Sequence, residues 1–281
     1  MASASIISSY ASFMVSHGYL ASASCAGYCS DIRIFVRWAA RFRGGLRWSA
    51  ATRDDFEEFA AWLVSSEYEY STINRILTSL TSLYNYFVHE RFLTKNVLYE
   101  VRRLRPSYHQ RQALSADIVA KALAVDSLDD STRCLISLLY ESGLRIGEAM
   151  ALTPADIDVD TKSCRVTGKG RSYRVAYFGE STAALLLARM RGLDDCARIF
   201  PLSRRQYNWD VYHALAPFAG GRKCSPHILR HTYATEALAN GMPLDVLRMS
   251  LGHKQITTTM LYNHCDSARV AMSNNTFAPR V

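Results

Sequence analysis

The chain has 281 residues, of which 49% are hydrophobic, and its 33 basic and 25 acidic side chains give a net charge of +8. That length suits two domains better than one core, and the hydrophobic content suits ordinary globular packing. The positive charge favours an anionic partner, with nucleic acid first, although charge alone does not exclude a basic protein without such a partner.

The cysteines and the apolar segments limit the cellular location and the kind of site. Seven cysteines at scattered positions indicate reduced thiols and a cytoplasmic protein. Cys25 and Cys29 are the closest pair, and without a second pair of ligands nearby they do not predict a zinc site. No apolar run is long enough to span a membrane, and the segment from Met1 to Leu20 lacks the basic start of a signal peptide.

Residues 1–103 have apolar side chains at helical spacing and predict a small domain of four helices. The second helix carries Arg33, Arg37 and Arg41 on the face opposite its apolar side, one turn apart. Because like charges at this spacing repel each other, the three arginines either face an anion such as DNA or form a solvated surface. Both interpretations remain open.

The remaining boundaries follow from turn and cap residues. A fourth helix is expected to begin at Ser71-Thr72, which suits an N-cap. Residues 104–112 are polar, basic and include Pro106, so they predict an interdomain linker. In the second domain, residues 113–281, two alternating segments around Gly168-Lys169-Gly170 predict a hairpin. The predicted fold class is mainly helical (α+β), with one small antiparallel sheet in the second domain.

An ordered set of motifs in the second domain has the residue types that phosphodiester chemistry requires. They are Ser142-Gly143-Leu144-Arg145 with Glu148 one turn later, the His-x-x-Arg pair His227 and Arg230, Leu251-Gly252-His253, and Tyr262. The transition state needs positive charge at the non-bridging oxygens, an aligned nucleophile and an acid for the leaving oxygen. Arginine supplies a charged planar fork for phosphate oxygens, and a tyrosine hydroxyl can form a covalent phosphotyrosine.

These motifs resemble the tyrosine recombinase (phage-integrase) family, most strongly from Leu139 to Tyr262. The resemblance implies a catalytic set of Arg145, Lys169, His227, Arg230, His253 and Tyr262, with Lys169 as the general acid and Glu148 as an accessory that orients the others. Glu148 can otherwise be only the i,i+3 ion-pair partner of Arg145. The family also places a DNA-contacting helix at Arg75, which can equally be a plain surface residue.

The resemblance implies site-specific recombination of duplex DNA. A 3′-phosphotyrosine would form, a partner strand's 5′-hydroxyl would attack it, and a Holliday junction would follow, in DNA integration and excision or in replicon dimer resolution. Four protomers would act on two DNA sites, with the tail after Tyr262 exchanged between neighbours. No metal and no cofactor is expected, since arginines would supply the charge. Xer-type enzymes and mobile-element integrases use the same residues, so both roles stay open.

Two other classes of DNA protein would keep part of this pattern. A type IB topoisomerase shares the chemistry but relaxes supercoils without a partner strand, and the short chain and the match around Tyr262 favour a recombinase over it. A non-catalytic DNA-binding regulator would keep the basic helices but would not need the complete set of motifs. The sequence therefore predicts a recombinase first.

Overall fold

The structure, a computed structural model, describes residues 3–45, 47–105, 113–168, 172–252, 276 and 279. The chain divides into two compact units, Met1–His109 and Gln110–Val281, each with buried apolar residues of its own. The division falls within the segment 104–112, of which residues 106–112 lie outside the described ranges.

Four α-helices make up most of the first unit. They are α1 (Ser3–Ser16), α2 (Ser22–Phe42), α3 (Arg53–Ser65) and α4 (Tyr70–His89), followed by a 3-10 turn at Val97–Tyr99. An aromatic cluster lies at the centre of this core, where the ring of Phe35 is 5.0 Å from those of Phe56 and Phe59. All three side chains are at most 1% exposed, so burial of aromatic surface is a main source of stability in this unit.

Cap residues in the sequence explain the start of one of these helices but not that of another. Thr52 caps α3 reciprocally, because its Oγ1 accepts from the Asp55 N–H while the Asp55 carboxylate accepts from the Thr52 N–H at 2.8 Å. The expected N-cap of α4 at Ser71-Thr72 is wrong, since the helix begins at Tyr70 with Glu69 in the cap position. Serine and threonine are tolerated inside a first turn, so their presence alone does not fix a boundary.

The second unit surrounds one buried helix. Its elements are α5 (Ala116–Leu123), α6 (Asp130–Ser142), α7 (Ile146–Ala149), β1 (Ile157–Asp158), β2 (Ser163–Gly168), β3 (Ser172–Tyr177), α8 (Glu180–Met190), α9 (Arg204–Leu215), α10 (Pro226–Ala239) and α11 (Leu244–Leu251), with 3-10 turns at Pro154–Asp156 and Ala216–Phe218. From Cys134 to Ser142 every side chain of α6 is at most 1% exposed. A helix buried on all sides gives its C-terminal end a fixed position in the unit.

The sheet is antiparallel with strand order β1-β2-β3. Strands β2 and β3 form the predicted hairpin, in which Val166 lies opposite Arg174, and its tip, residues 169–171, is outside the described ranges. The strand β1 was not predicted, because two residues are too short to produce a detectable alternation.

The expected fold class, mainly helical with a small antiparallel sheet, is confirmed. Across the ranges that the structure describes, no helix is long and apolar enough to cross a membrane.

Candidate active site

The site is built around the C-terminal end of α6. Gly143 ends this helix with φ of +62°, a left-handed conformation that glycine adopts without steric cost. The chain then turns so that Leu144 is fully buried and Arg145 occupies the N-cap position of α7. The Gly-Leu-Arg motif therefore places the arginine in the short connection between α6 and α7.

Arg145 and Glu148 are joined through both main chain and side chain. The Glu148 carboxylate accepts from the backbone N–H of Arg145 and from its Nη1, each at 2.8 Å. The Arg145 side chain remains 40% exposed, whereas Glu148 is only 9% exposed. The Glu148 carboxylate therefore holds the backbone and one end of the guanidinium of Arg145 in place. The rest of the guanidinium stays open to a ligand.

Arg230, in the second turn of α10, connects the ends of two other helices. Its Nη1 donates to the carbonyl oxygen of Gly143 at 2.6 Å, and its Nη2 donates to that of Leu251 at 2.7 Å. Carbonyls at helix C-termini lack intrahelical partners and carry partial negative charge, so a guanidinium is stabilised there. Its Nη1 also lies 4.0 Å from the Glu148 carboxylate, which brings Arg230 into the same cluster as Arg145.

A third arginine, which the sequence analysis did not single out, completes the cluster. Arg174 in β3 donates from Nη2 to Glu148 Oε2 at 2.8 Å, and its side chain is 13% exposed. It lies on the same face of the hairpin as Val166, its buried partner, and Ala176. A charged residue at an inward-facing position of an alternating strand was the signal that could have identified it.

The charges of the cluster perturb one another. Burial raises the pKa of Glu148, but the charge of Arg174 and the hydrogen bonds from Arg145 outweigh this effect and hold the pKa below its ordinary value. Burial, followed by the charge of Arg145, lowers the pKa of Arg230 to about 10. Both groups are therefore charged at neutral pH, and three guanidinium groups share one carboxylate. The cluster is cationic and suited to an anionic ligand.

His227 lies in the first turn of α10, three residues before Arg230, after a proline that suits the first helical position. Its side chain is exposed at the edge of an open groove of about 880 Å³. That groove is also lined by Arg204, Arg205 and the exposed Trp209 of α9. Guanidinium groups and an exposed indole are side chains that bind phosphates and stack on bases.

Three of the predicted catalytic residues, Lys169, His253 and Tyr262, lie outside the described residues. Their sequence neighbours are described: β2 ends at Gly168, and α11 ends at Leu251 with Gly252 as its left-handed C-cap. Of the predicted set, the structure therefore brings together Arg145, Glu148 and Arg230, with His227 on the same helix as Arg230. Among the described residues, no group of three His, Cys, Asp or Glu side chains is placed to hold a metal ion.

The candidate DNA-binding residues belong to the first unit. Arg33, Arg37 and Arg41 are all exposed along α2. Arg75 of α4 is 52% exposed and forms an ion pair with the buried Asp31, whose carboxylate also accepts from Ser79 Oγ at 2.8 Å. Arg75 is therefore not a plain surface residue, because it also compensates a buried charge.

Comparison with known proteins covers both units. Residues 113–269 match the model of the phage integrase family, and residues 7–91 match that of the phage integrase N-terminal SAM-like domain. The tyrosine recombinase XerD of Shewanella oneidensis is 29% identical over 91% of this chain and 90% of its own length. XerC of Halalkalibacterium halodurans is 31% identical over 78% of this chain and 79% of its own. The lambda integrase tetramer bound to a Holliday junction matches with a TM-score of 0.71 at 20% identity, covering 91% of this chain and 78% of the integrase chain.

Proposed function

Since this chain belongs to the phage integrase family and is a tyrosine site-specific recombinase, we propose that its arginine cluster binds the scissile phosphate of duplex DNA and that Tyr262 attacks that phosphate. The observation that carries the proposal is the convergence of Arg145 and Arg230 on Glu148. Arg145 offers exposed donors to the phosphate, and Arg230 adds positive charge from a buried position. Preorganised cations of this kind stabilise the charge that develops on the non-bridging oxygens.

In the proposed reaction the Tyr262 oxygen bonds to phosphorus as the bond from phosphorus to the 5′ oxygen breaks. Lys169 donates a proton to that leaving oxygen, His227 accepts the proton that the Tyr262 hydroxyl loses, and His253 donates a hydrogen bond to a non-bridging phosphate oxygen. The product is a 3′-phosphotyrosine, which a partner strand's 5′-hydroxyl attacks to form a Holliday junction. The arginines supply the charge that a metal would otherwise give, so cleavage should continue in EDTA.

Residues 1–103 act as the core-binding domain and residues 113–281 as the catalytic domain, joined by the linker 104–112. In support, the two family models divide the chain in the same order, and the first unit exposes a row of arginines along α2. By analogy with the lambda integrase tetramer on a Holliday junction, four protomers assemble on two DNA sites. We propose that the enzyme works in the cytoplasm, which its odd number of scattered cysteines supports.

The test uses a duplex selected from a random-sequence library by binding to the full-length protein. Incubation with end-labelled selected duplex in EDTA should give a covalent adduct that survives denaturation. Tyr262→Phe should bind the same duplex within about twofold, yet form no adduct, because only the nucleophilic hydroxyl is lost.

Tyr233→Phe is the matched control. The side chain of Tyr233 is fully buried, so its hydroxyl is not open to DNA and its removal should leave the adduct intact. An adduct that persists in Tyr262→Phe and disappears in Tyr233→Phe would overturn the assignment of the nucleophile. Absence of any adduct unless Mg²⁺ is supplied would overturn the proposed role of the arginines.

A further inference from the structure

Arg174 is the junction between three segments of the second unit. From β3 its Nη2 reaches the Glu148 carboxylate of α7 at 2.8 Å. Its shaft passes beside Gly252 at the end of α11, where a β-carbon would lie 2.8 Å from Nε and 3.0 Å from Cδ of Arg174. Two features therefore require glycine at position 252: its φ of +64°, and the Arg174 side chain that lies against it.

Burial of the charged Arg174 side chain costs free energy, which an apolar side chain at this position would not. Burial is the largest influence on Arg174 and lowers its pKa, while the Glu148 charge acts in the opposite direction. Within the residues that the structure describes, its Nη1 has no hydrogen-bond partner, and an unused buried donor costs free energy. What the guanidinium contributes in return is its bond to Glu148, the same carboxylate that fixes Arg145.

We propose that Arg174 is a positioning residue for strand cleavage, which holds the Glu148 carboxylate and the backbone at Gly252 in place and thereby sets the geometry of Arg145. This inference rests on the proposed function of the cluster. It differs from the roles of Arg145 and Arg230, because Arg174 acts on the phosphate through Glu148 and not by contact with DNA. In sequence, Gly252 directly precedes His253 and β3 begins three residues after Lys169, so one side chain connects segments that lead to two further catalytic candidates.

The experiment is a double-mutant cycle on the single-turnover rate of adduct formation with the selected duplex. Arg174→Met should slow cleavage by about tenfold to a hundredfold, the loss expected when catalytic groups are misplaced by a fraction of an ångström to 1 Å. DNA affinity should change by less than about twofold. In a Glu148→Gln background, Arg174→Met should cost less than about threefold more, because the group through which Arg174 acts is already altered.

Arg165→Met is the matched control. Arg165 stands on the neighbouring strand β2, opposite Val175, and its exposed side chain donates to the carbonyl oxygen of Ala155 rather than to Glu148. This variant should cleave at the rate of the unchanged protein in both backgrounds. If Arg174→Met does not fold, Arg174→Lys replaces it in the cycle. Lysine keeps the charge but lacks the planar fork, so its loss should be smaller and equally dependent on Glu148.

Multiplicative losses in the double variant would overturn the inference, since a general structural defect would slow cleavage regardless of Glu148. Cleavage by Arg174→Met at the unchanged rate would overturn it as well. Arg145→Ala tests the proposed function separately. If Arg145→Ala cleaves normally, the assignment of the cluster is wrong. If Arg145→Ala is inactive and Arg174→Met is not impaired, only the role of Arg174 is wrong.

Discussion

The ring of Tyr233 occupies the space that a side chain at position 143 would need, because a β-carbon on Gly143 would lie 2.5 Å from Tyr233 Cδ1. Tyr233 is fully buried in α10, and Gly143 ends α6 in a left-handed conformation. Absence of a side chain thus allows the two helices to meet where the arginine cluster forms, and Arg230 of α10 can reach the Gly143 carbonyl.

Gly143→Ala should therefore destabilise the protein by about 2–4 kcal/mol, which combines the cost of a left-handed alanine with overpacking against the ring. Urea denaturation followed by circular dichroism measures the change. Gly147→Ala is the control, because Gly147 is an exposed helical residue and nothing lies within 4 Å of an added β-carbon. Its expected effect is between zero and a gain of about 1 kcal/mol. Equal stability of the two variants would contradict the packing argument.

The lowered pKa of Glu148 predicts a specific dependence of stability on pH. A carboxyl group whose pKa is lower in the folded state stabilises the fold above its ordinary value of 4.5, and this contribution is lost as the pH falls through the lowered value. Relative to Glu148→Gln, the unchanged protein should therefore be more stable at pH 7, and this advantage should shrink below pH 4.5. Urea midpoints of both proteins between pH 3 and pH 7 test it; a constant difference over that range would refute the ion-pair explanation.

Lys169 is predicted to protonate the leaving oxygen. Lys169→Ala should slow cleavage by about a hundredfold or more, in the range that positioned acids contribute. In a substrate with sulfur in place of the bridging 5′ oxygen, the 5′ thiolate leaves without protonation. This substrate should therefore restore the cleavage rate of Lys169→Ala. Arg230→Ala, whose defect concerns the non-bridging oxygens, should not be rescued. If the sulfur substrate rescues neither variant or both equally, Lys169 is not the acid.

Arg75 is predicted to combine DNA binding with support of a buried charge. Arg75→Ala should weaken DNA binding and also cost about 1–3 kcal/mol of stability, because the Asp31 carboxylate loses its cation. Arg33→Ala, at an exposed position of α2, should weaken binding with a stability change within about 0.5 kcal/mol.

Binding titrations over a range of salt concentrations distinguish the two interpretations of these arginines. Loss of one phosphate contact should reduce the slope of log K against log salt by about 0.9. An unchanged affinity and slope for Arg33→Ala would make the α2 arginines a solvated surface.

The segment after Tyr262 is predicted to serve assembly. A protein without residues 267–281 should bind single sites normally but form fewer multimeric DNA complexes, because the family resemblance implies that this tail is exchanged between neighbouring protomers. Native gels with one-site and two-site duplexes measure this. Multimeric complexes that form as readily as with the full chain would show that the tail is dispensable for assembly.

Local sequence patterns predicted most of the fold, and the sequence showed the order of the motifs directly. Apolar residues at helical spacing identified the helices of the first unit, and alternation identified the β2–β3 hairpin. Each of these depends on neighbours within a few residues, which a sequence displays directly. The Arg, His-x-x-Arg, Leu-Gly-His and Tyr motifs likewise predicted the family, and the catalytic roles of the residues in these motifs and of Lys169 stay predictions from sequence.

Only the tertiary structure showed which groups surround Arg145 and Arg230, the two arginines of the predicted catalytic set. Arg230 bonds to a carbonyl 87 residues away, and Arg174 meets a carboxylate 26 residues before it. Contacts of this kind depend on how α6, α10, α11 and β3 pack, and their residue types give no periodic signal along the chain. The sequence thus determined the order of the motifs and predicted which groups perform the chemistry, whereas long-range packing determined that Arg174 joins the cluster, since a buried charge is stable only where the fold supplies its partner.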